Sequence, residues 1–317
     1  MMVVFKKGLR LAFILTLLAL PVLIWWKFDY INDWWRLRGY VPPREIVLLA
    51  DRTTMTDDGR RIFYVNHPKL ISQIDEFRKD CLQSEQTIVL GCYYSPQRGI
   101  AVYDVSDPRL EGVEEVTSAH EMLHAAYDRL DSEERDNIDK LLNNFYSQNL
   151  NDSRIEETIS LYRKTEPNDL INEMHSIFAT EVSQLPAELE SYYSRYFKNR
   201  AEVVRIAQIY EKEFTSREQR AKELLEEINS LKSTIEVTAN DLEADRNALE
   251  SQRSTITSQE EASSFNQRVN RYNSRLARYR ELIEKHNLVV EQYNDLIVEQ
   301  QELRKAIDTR PVPQLAQ

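Results

Sequence analysis

His120-Glu121-Met122-Leu123-His124 is the stretch around which this chain is read. Residues four apart on a helix lie about 40° apart around its axis and one turn apart along it, so His120 and His124 can offer imidazole nitrogens to one metal ion. Glu121 points in a neighbouring direction, near enough to handle a water at that metal without being a ligand. Working outward, Val113, Val116, Leu123, Ala126 and Leu130 supply apolar positions near helical spacing, while Asp128 and Arg129 suit a wet face. The spacing predicts a helix that carries a zinc site and a catalytic base. The alternative is an exposed helix that merely holds two of the chain's five histidines.

Around this motif the chain has two kinds of grammar. Every glycine lies at or before Gly112, and no proline occurs between Pro186 and Pro311. Turns and strands are therefore expected in the first third. Ile46-Val47-Leu48-Leu49 and Ile62-Phe63-Tyr64-Val65 flank Thr56-Asp57-Asp58-Gly59, and Thr87-Ile88-Val89-Leu90 and Ile100-Ala101-Val102-Tyr103 flank Ser95-Pro96-Gln97-Arg98-Gly99. The simplest reading is two strand pairs followed by helices, an α+β domain over residues 41–200.

Residues 201–310 read as coiled coil. Ile228, Ile235, Leu242, Leu249 and Ile256 recur every seven residues, with Leu224 and Leu231 in the alternate seam positions. A second register runs from Phe265 through Val269, Tyr272 and Leu276 to Ile297. The Ser-rich interval between them suggests an antiparallel helical hairpin with arms of roughly 70 Å; a continuous rod dimerising in parallel would use the same pattern. The seam tyrosines and His286 are read as packing residues. Residues 311–317 form a short tail.

Residues 1–40 read as a cytoplasmic start and a membrane anchor. Lys6, Lys7 and Arg10 precede an apolar run from Leu11 to Trp26, and Trp25, Trp26, Trp34 and Trp35 suit an interface. A cleaved signal peptide is the rival, since the run lacks only a clear cleavage site. Either reading places the rest of the chain beyond the cytoplasm. Cys81 and Cys92, the only cysteines, could then pair as a disulfide or stay as packed thiols.

A catalytic zinc site usually has three protein ligands, so one remains to be found. The segment Leu170-Ile171-Asn172-Glu173-Met174-His175-Ser176-Ile177-Phe178-Ala179-Thr180-Glu181 offers Glu173, His175 and Glu181. On a regular helix Glu173 and His175 point about 200° apart, so they cannot both face one metal. With His120-Glu121-x-x-His124 before it, Asn172-Glu173 resembles the Asn-Glu pair of the gluzincins, a branch of the zincin metallopeptidases. The resemblance covers about a quarter of the chain. It implies a zincin-like fold, Zn²⁺ held by His120, His124 and Glu173, and Glu121 as catalytic base. The acid that follows the ligand by four residues in some gluzincins is Ile177 here. His175 is a further catalytic candidate, as an oxyanion donor, and Tyr192, Tyr193 and Arg195 could polarise a substrate carbonyl. The strand expected over Gly99–Val105 resembles the edge strand on which zincins align an extended peptide.

The expected function is a membrane-anchored, extracytoplasmic zinc endopeptidase acting on a protein or peptide, with the coiled coil serving a protein partner or self-association. The alternative is a non-enzymatic coiled-coil envelope scaffold with an inactive zincin-like domain; hydrolysis of a cell-wall peptide crosslink is a third reading. A formal net charge of −11 without a basic patch argues against nucleic acid.

Overall fold

A computed structural model describes residues 28–81, 88–148 and 150–310. They form two compact units, one of residues up to Tyr210 together with the chain from Ile307 onward, the other Glu211–Ala306.

The first unit is predominantly helical, with three short strands. This corrects the α+β zincin-like domain with two strand pairs. Ile46, Leu49 and Ala50 are buried along α2 (Arg44–Arg52), and Gly59, Ile62 and Phe63 along α3 (Asp57–Val65). Spacings of three and four put each set on one helical face. The Thr56-Asp57-Asp58 cluster, expected as a hairpin turn, starts α3 instead: the Thr56 side chain accepts from the Gly59 N–H, and the two aspartates sit in the first turn. Ahead of them lies α1 (Phe28–Leu37), whose Asp33 is buried between the guanidinium groups of Arg61 and Arg129. The apolar segment Leu11–Trp26 lies outside the described residues. Among those described, no helix is long and apolar enough to cross a membrane.

One sheet has the order β1-β3-β2. β1 (Lys69–Ile71) runs parallel to β3 (Gly99–Tyr103), and β2 (Gly91–Tyr94) antiparallel to it. Between β1 and β2, α4 (Ile74–Asp80) ends at Cys81, which is joined to Cys92 on β2 by a disulfide.

α5 (Val113–Asp128) carries the His-Glu-x-x-His motif, with 12 of its 16 residues buried. Gly112 precedes it at φ 102°, and a Cβ there would clash with Ile206 Cγ2, so both backbone and space require glycine. α6 (Ser132–Gln148), α7 (Ser153–Thr165), α8 (Leu170–Glu181) and α9 (Ala187–Tyr193) follow. A single core joins Ala119, Met122, Leu123 and Ala126 of α5 to Met174, Ile177 and Phe178 of α8.

α10 (Arg200–Arg253) starts in this unit, where Ile206 and Ala207 pack on Val116, and α11 (Gln259–Ile307) leads back to it. Within the second unit these two helices form an antiparallel hairpin. Arg304 pairs with Glu218, Lys285 with Glu227 and Arg275 with Asp241 and Asp245, so one helix descends in number as the other rises. Leu224, Leu231 and Val289 form its buried seam. Ser258 and Glu261 explain why the chain is not one rod: Ser258 Oγ accepts from the Glu261 N–H while Glu261 Oε2 accepts from the Ser258 N–H. This reciprocal box starts a new helix where the first has ended.

Where β3 leads toward α5, Glu114 Oε1 accepts from the Val105 N–H at 3.0 Å. Burial and the neighbouring Asp104 push the Glu114 carboxyl up to about 7. A carboxyl whose pKa rises on folding contributes stability below its unfolded pKa and loses it as pH climbs through the folded value. The melting temperature of the parent chain should therefore fall between pH 5 and 8, and Glu114→Gln should flatten that fall; an unchanged pH profile would contradict this assignment.

Candidate metal centre

α5 turns Ala119, Met122, Leu123 and Ala126 into the core and leaves His120 and His124, one turn apart, toward a cleft of about 400 Å³. α8 buries Met174, Ile177 and Phe178 in the same core, which brings Glu173 to the cleft from the opposite side. His120 Nε2 stands 3.4 Å from Glu173 Oε2, and His124 Nε2 stands 3.4 Å from Glu173 Oε1. The ligand atoms of all three lie within 4.8 Å of one another, and this is the one group of its kind among the described residues. His286 belongs to no such group.

The charge balance at Glu173 is unusual for a buried acid. Burial works to push its carboxyl up, yet the imidazoles of His124 and His120 and the phenol of Tyr162 hold it below the ordinary carboxylate range. Its Oε2 nevertheless has no hydrogen-bond donor of acceptable geometry. A buried carboxylate oxygen without a donor, facing two imidazole nitrogens, suits a cation that binds nitrogen and oxygen together.

Glu121 is buried on the cleft wall beside the histidines, over β2. Gly91 makes this approach possible: a Cβ there would lie 2.8 Å from Glu121 Oε1 and 2.5 Å from Thr117 Cγ2. The strand bordering the cleft is accordingly β2, the sheet edge. β3, which the sequence offers as the substrate edge, is the central strand with both sides paired.

The other candidates stand elsewhere. His175 is completely buried on the far face of α8, as its 200° offset from Glu173 requires, and does not line the cleft. Its Nε2 meets Tyr192 Oη at 3.0 Å, its carbonyl accepts from Tyr193, and burial lowers its pKa to about 3. The expected catalytic role of His175 is thus corrected to a packed position among tyrosines. Glu181 reaches the cleft but is engaged by Arg154 at 2.6 Å. Tyr192 and Tyr193 face His175 rather than the cleft, and Arg195 pairs with Glu134.

Several cleft residues escaped the sequence reading, Gly91 and Tyr162 among them, and Asp128 entered it only as part of a wet face. Two of them left a signal. A glycine inside a strand marks close backbone approach, and Asp128 continues the i, i+4 series of His120 and His124. No family model, curated protein or solved structure matches this chain.

Gly91→Ala tests the wall. Its added methyl must displace Thr117 or Glu121, and overpacking of this kind costs about 1–3 kcal/mol. Chemical denaturation of the variant should show that loss, whereas a midpoint equal to the parent's would show that β2 does not press on α5.

Proposed function

We propose that this chain is a zinc-dependent peptidase. The reading is carried by one observation: two imidazole nitrogens and a buried carboxylate converge within 4.8 Å at an open cleft, with a second carboxylate beside them. The donor set matches the His, His, Glu ligation of catalytic zinc sites and leaves room for a substrate. His120 and His124 would bind through Nε2, and Glu173 through its carboxylate. When bound, zinc supplies a Lewis acid for a peptide carbonyl and brings a water's pKa down to roughly 7.

The chain's own residues account for the rest. Glu121 takes the proton of the attacking water and returns a proton to the departing amine nitrogen, a role that requires a carboxylate close to the ligands but not among them. The outer edge of β2, which pairs with no further strand among the described residues, offers backbone groups to an extended peptide, giving affinity with little sequence selection. The Cys81–Cys92 disulfide supports work in an oxidising compartment outside the cytoplasm. The long hairpin favours a second reading, a scaffold that carries the cleft without using it.

Metal content and peptide cleavage, measured on the full chain, separate the two. Glu121→Gln should keep stoichiometric zinc while turnover falls by about 10²–10⁴. His124→Ala and Glu173→Ala should lose both metal and activity. Cleavage at the parent rate by Glu121→Gln would overturn the mechanism, and a folded, unchelated chain without zinc would leave the scaffold.

A further inference from the structure

The cleft is lined by Glu121, Asp128, Glu166, Asp169, Glu173 and Glu181, and no lysine or arginine lines it among the described residues. Glu173 is taken up by the imidazoles and Glu181 by Arg154. Asp128 and Asp169 differ from these two. Asp128 stands one helical turn beyond His124 on α5, and Asp169 one turn before Glu173 where α8 begins. The helical rise sets each about 6 Å along its own axis from the nearest member of the triad.

Asp128 is also held in place. Tyr93 Oη and Ser95 Oγ both donate to its Oδ2 at 2.7 Å, which leaves Oδ1 without a donor among the described residues. A carboxylate fixed through one oxygen, with the other unused, is an acceptor prepared for an ammonium or guanidinium group. Asp169 is exposed, and its side chain makes no capping hydrogen bond to α8. Walls of one sign around a concave site raise the local concentration of the opposite charge.

We infer that this cleft selects peptide segments carrying lysine or arginine near the bond to be cut, with Asp128 and Asp169 positioning the positive charge beside the triad. The inference deepens the peptidase reading and rests on it for the reaction; the same charge preference applies to binding alone. A free amino terminus would present similar ammonium chemistry, so the test must tell the two sources apart.

The experiment uses the full chain loaded with zinc and fluorogenic peptides identical except for a central Lys, Ala or Glu, each prepared with an acetylated and with a free N-terminus, the acetylated set being the one compared. The Lys peptide should exceed the Glu peptide in kcat/KM by about tenfold or more at low ionic strength, with the gap closing as salt is raised. Asp128→Asn, which keeps an oxygen for Tyr93 and Ser95, and Asp169→Asn should each shrink the Lys-to-Ala ratio through KM rather than kcat. Equal cleavage of the three peptides would overturn the charge inference and leave the peptidase reading standing. Cleavage restricted to unacetylated peptides would overturn it in favour of the terminal ammonium. Should no peptide be cut, the peptidase reading fails, and fluorescence anisotropy of the same acetylated peptides decides the charge inference separately. Tighter binding of the Lys peptide by about tenfold supports it, and equal binding overturns it.

Discussion

A carboxylate buried between two helices, 3.4 Å from each of two imidazoles, is the constraint on which the first unit turns. A lone charge in such a place costs several kcal/mol, so the carboxylate must be compensated by what faces it. The packing of α5 on α8 supplies that compensation. Ala119 and Ala126 lie on the core side of α5 and let the helices approach closely, while Met122, Leu123, Met174, Ile177 and Phe178 fill the contact. The polar face of each helix is then forced toward the other across the cleft. The same residues that bury the core thus set the spacing of the triad.

That geometry also explains the sorting of the second-helix candidates. Helical periodicity allows Glu173 or His175 at the cleft, and the core takes the His175 side because Met174 and Phe178 pull that face inward. His175 pays for burial by staying neutral against Tyr192. Glu181, two turns on from Glu173, reaches the cleft beyond the triad and is neutralised there by Arg154.

The four-residue pairing of His120 with His124 could be read from the sequence because helix direction is a local property; the 200° offset separates Glu173 from His175 without choosing between them, and the core makes that choice. The strands could not be read this way. Ile46–Leu49 and Ile62–Val65 are apolar runs too short for periodicity to separate strand from helix, and the Thr56 cap with Asp57 and Asp58 was the cue that decides it. The second strand pair is present but displaced in one partner: Ile100–Tyr103 lies in β3, which pairs with Gly91–Tyr94 rather than with residues 87–90. Residues 87–90 carry stronger strand character than Gly91-Cys92-Tyr93-Tyr94, yet β2 pairs at Gly91 because only that residue fits against Thr117 and Glu121. The break at Ser258 was legible as an interval, and the Ser258–Glu261 box supplies its physical cause.

Two segments of the first unit, the start of α10 and the chain after α11, pack on residues that border the cleft. α10 leaves the first unit after Ile206 and Ala207 pack on Val116, one turn before His120. The returning chain is fixed at Thr309, which is buried, donates its hydroxyl to the Val89 carbonyl at 2.6 Å and accepts from Arg78 at 2.8 Å. Val89 lines the cleft two residues before Gly91. Within the first unit, the start of α10 is thus tied to the helix that carries the histidines, and the chain after α11 to the residues entering the edge strand. Glu121 sits between those two elements, so its position depends on both attachments.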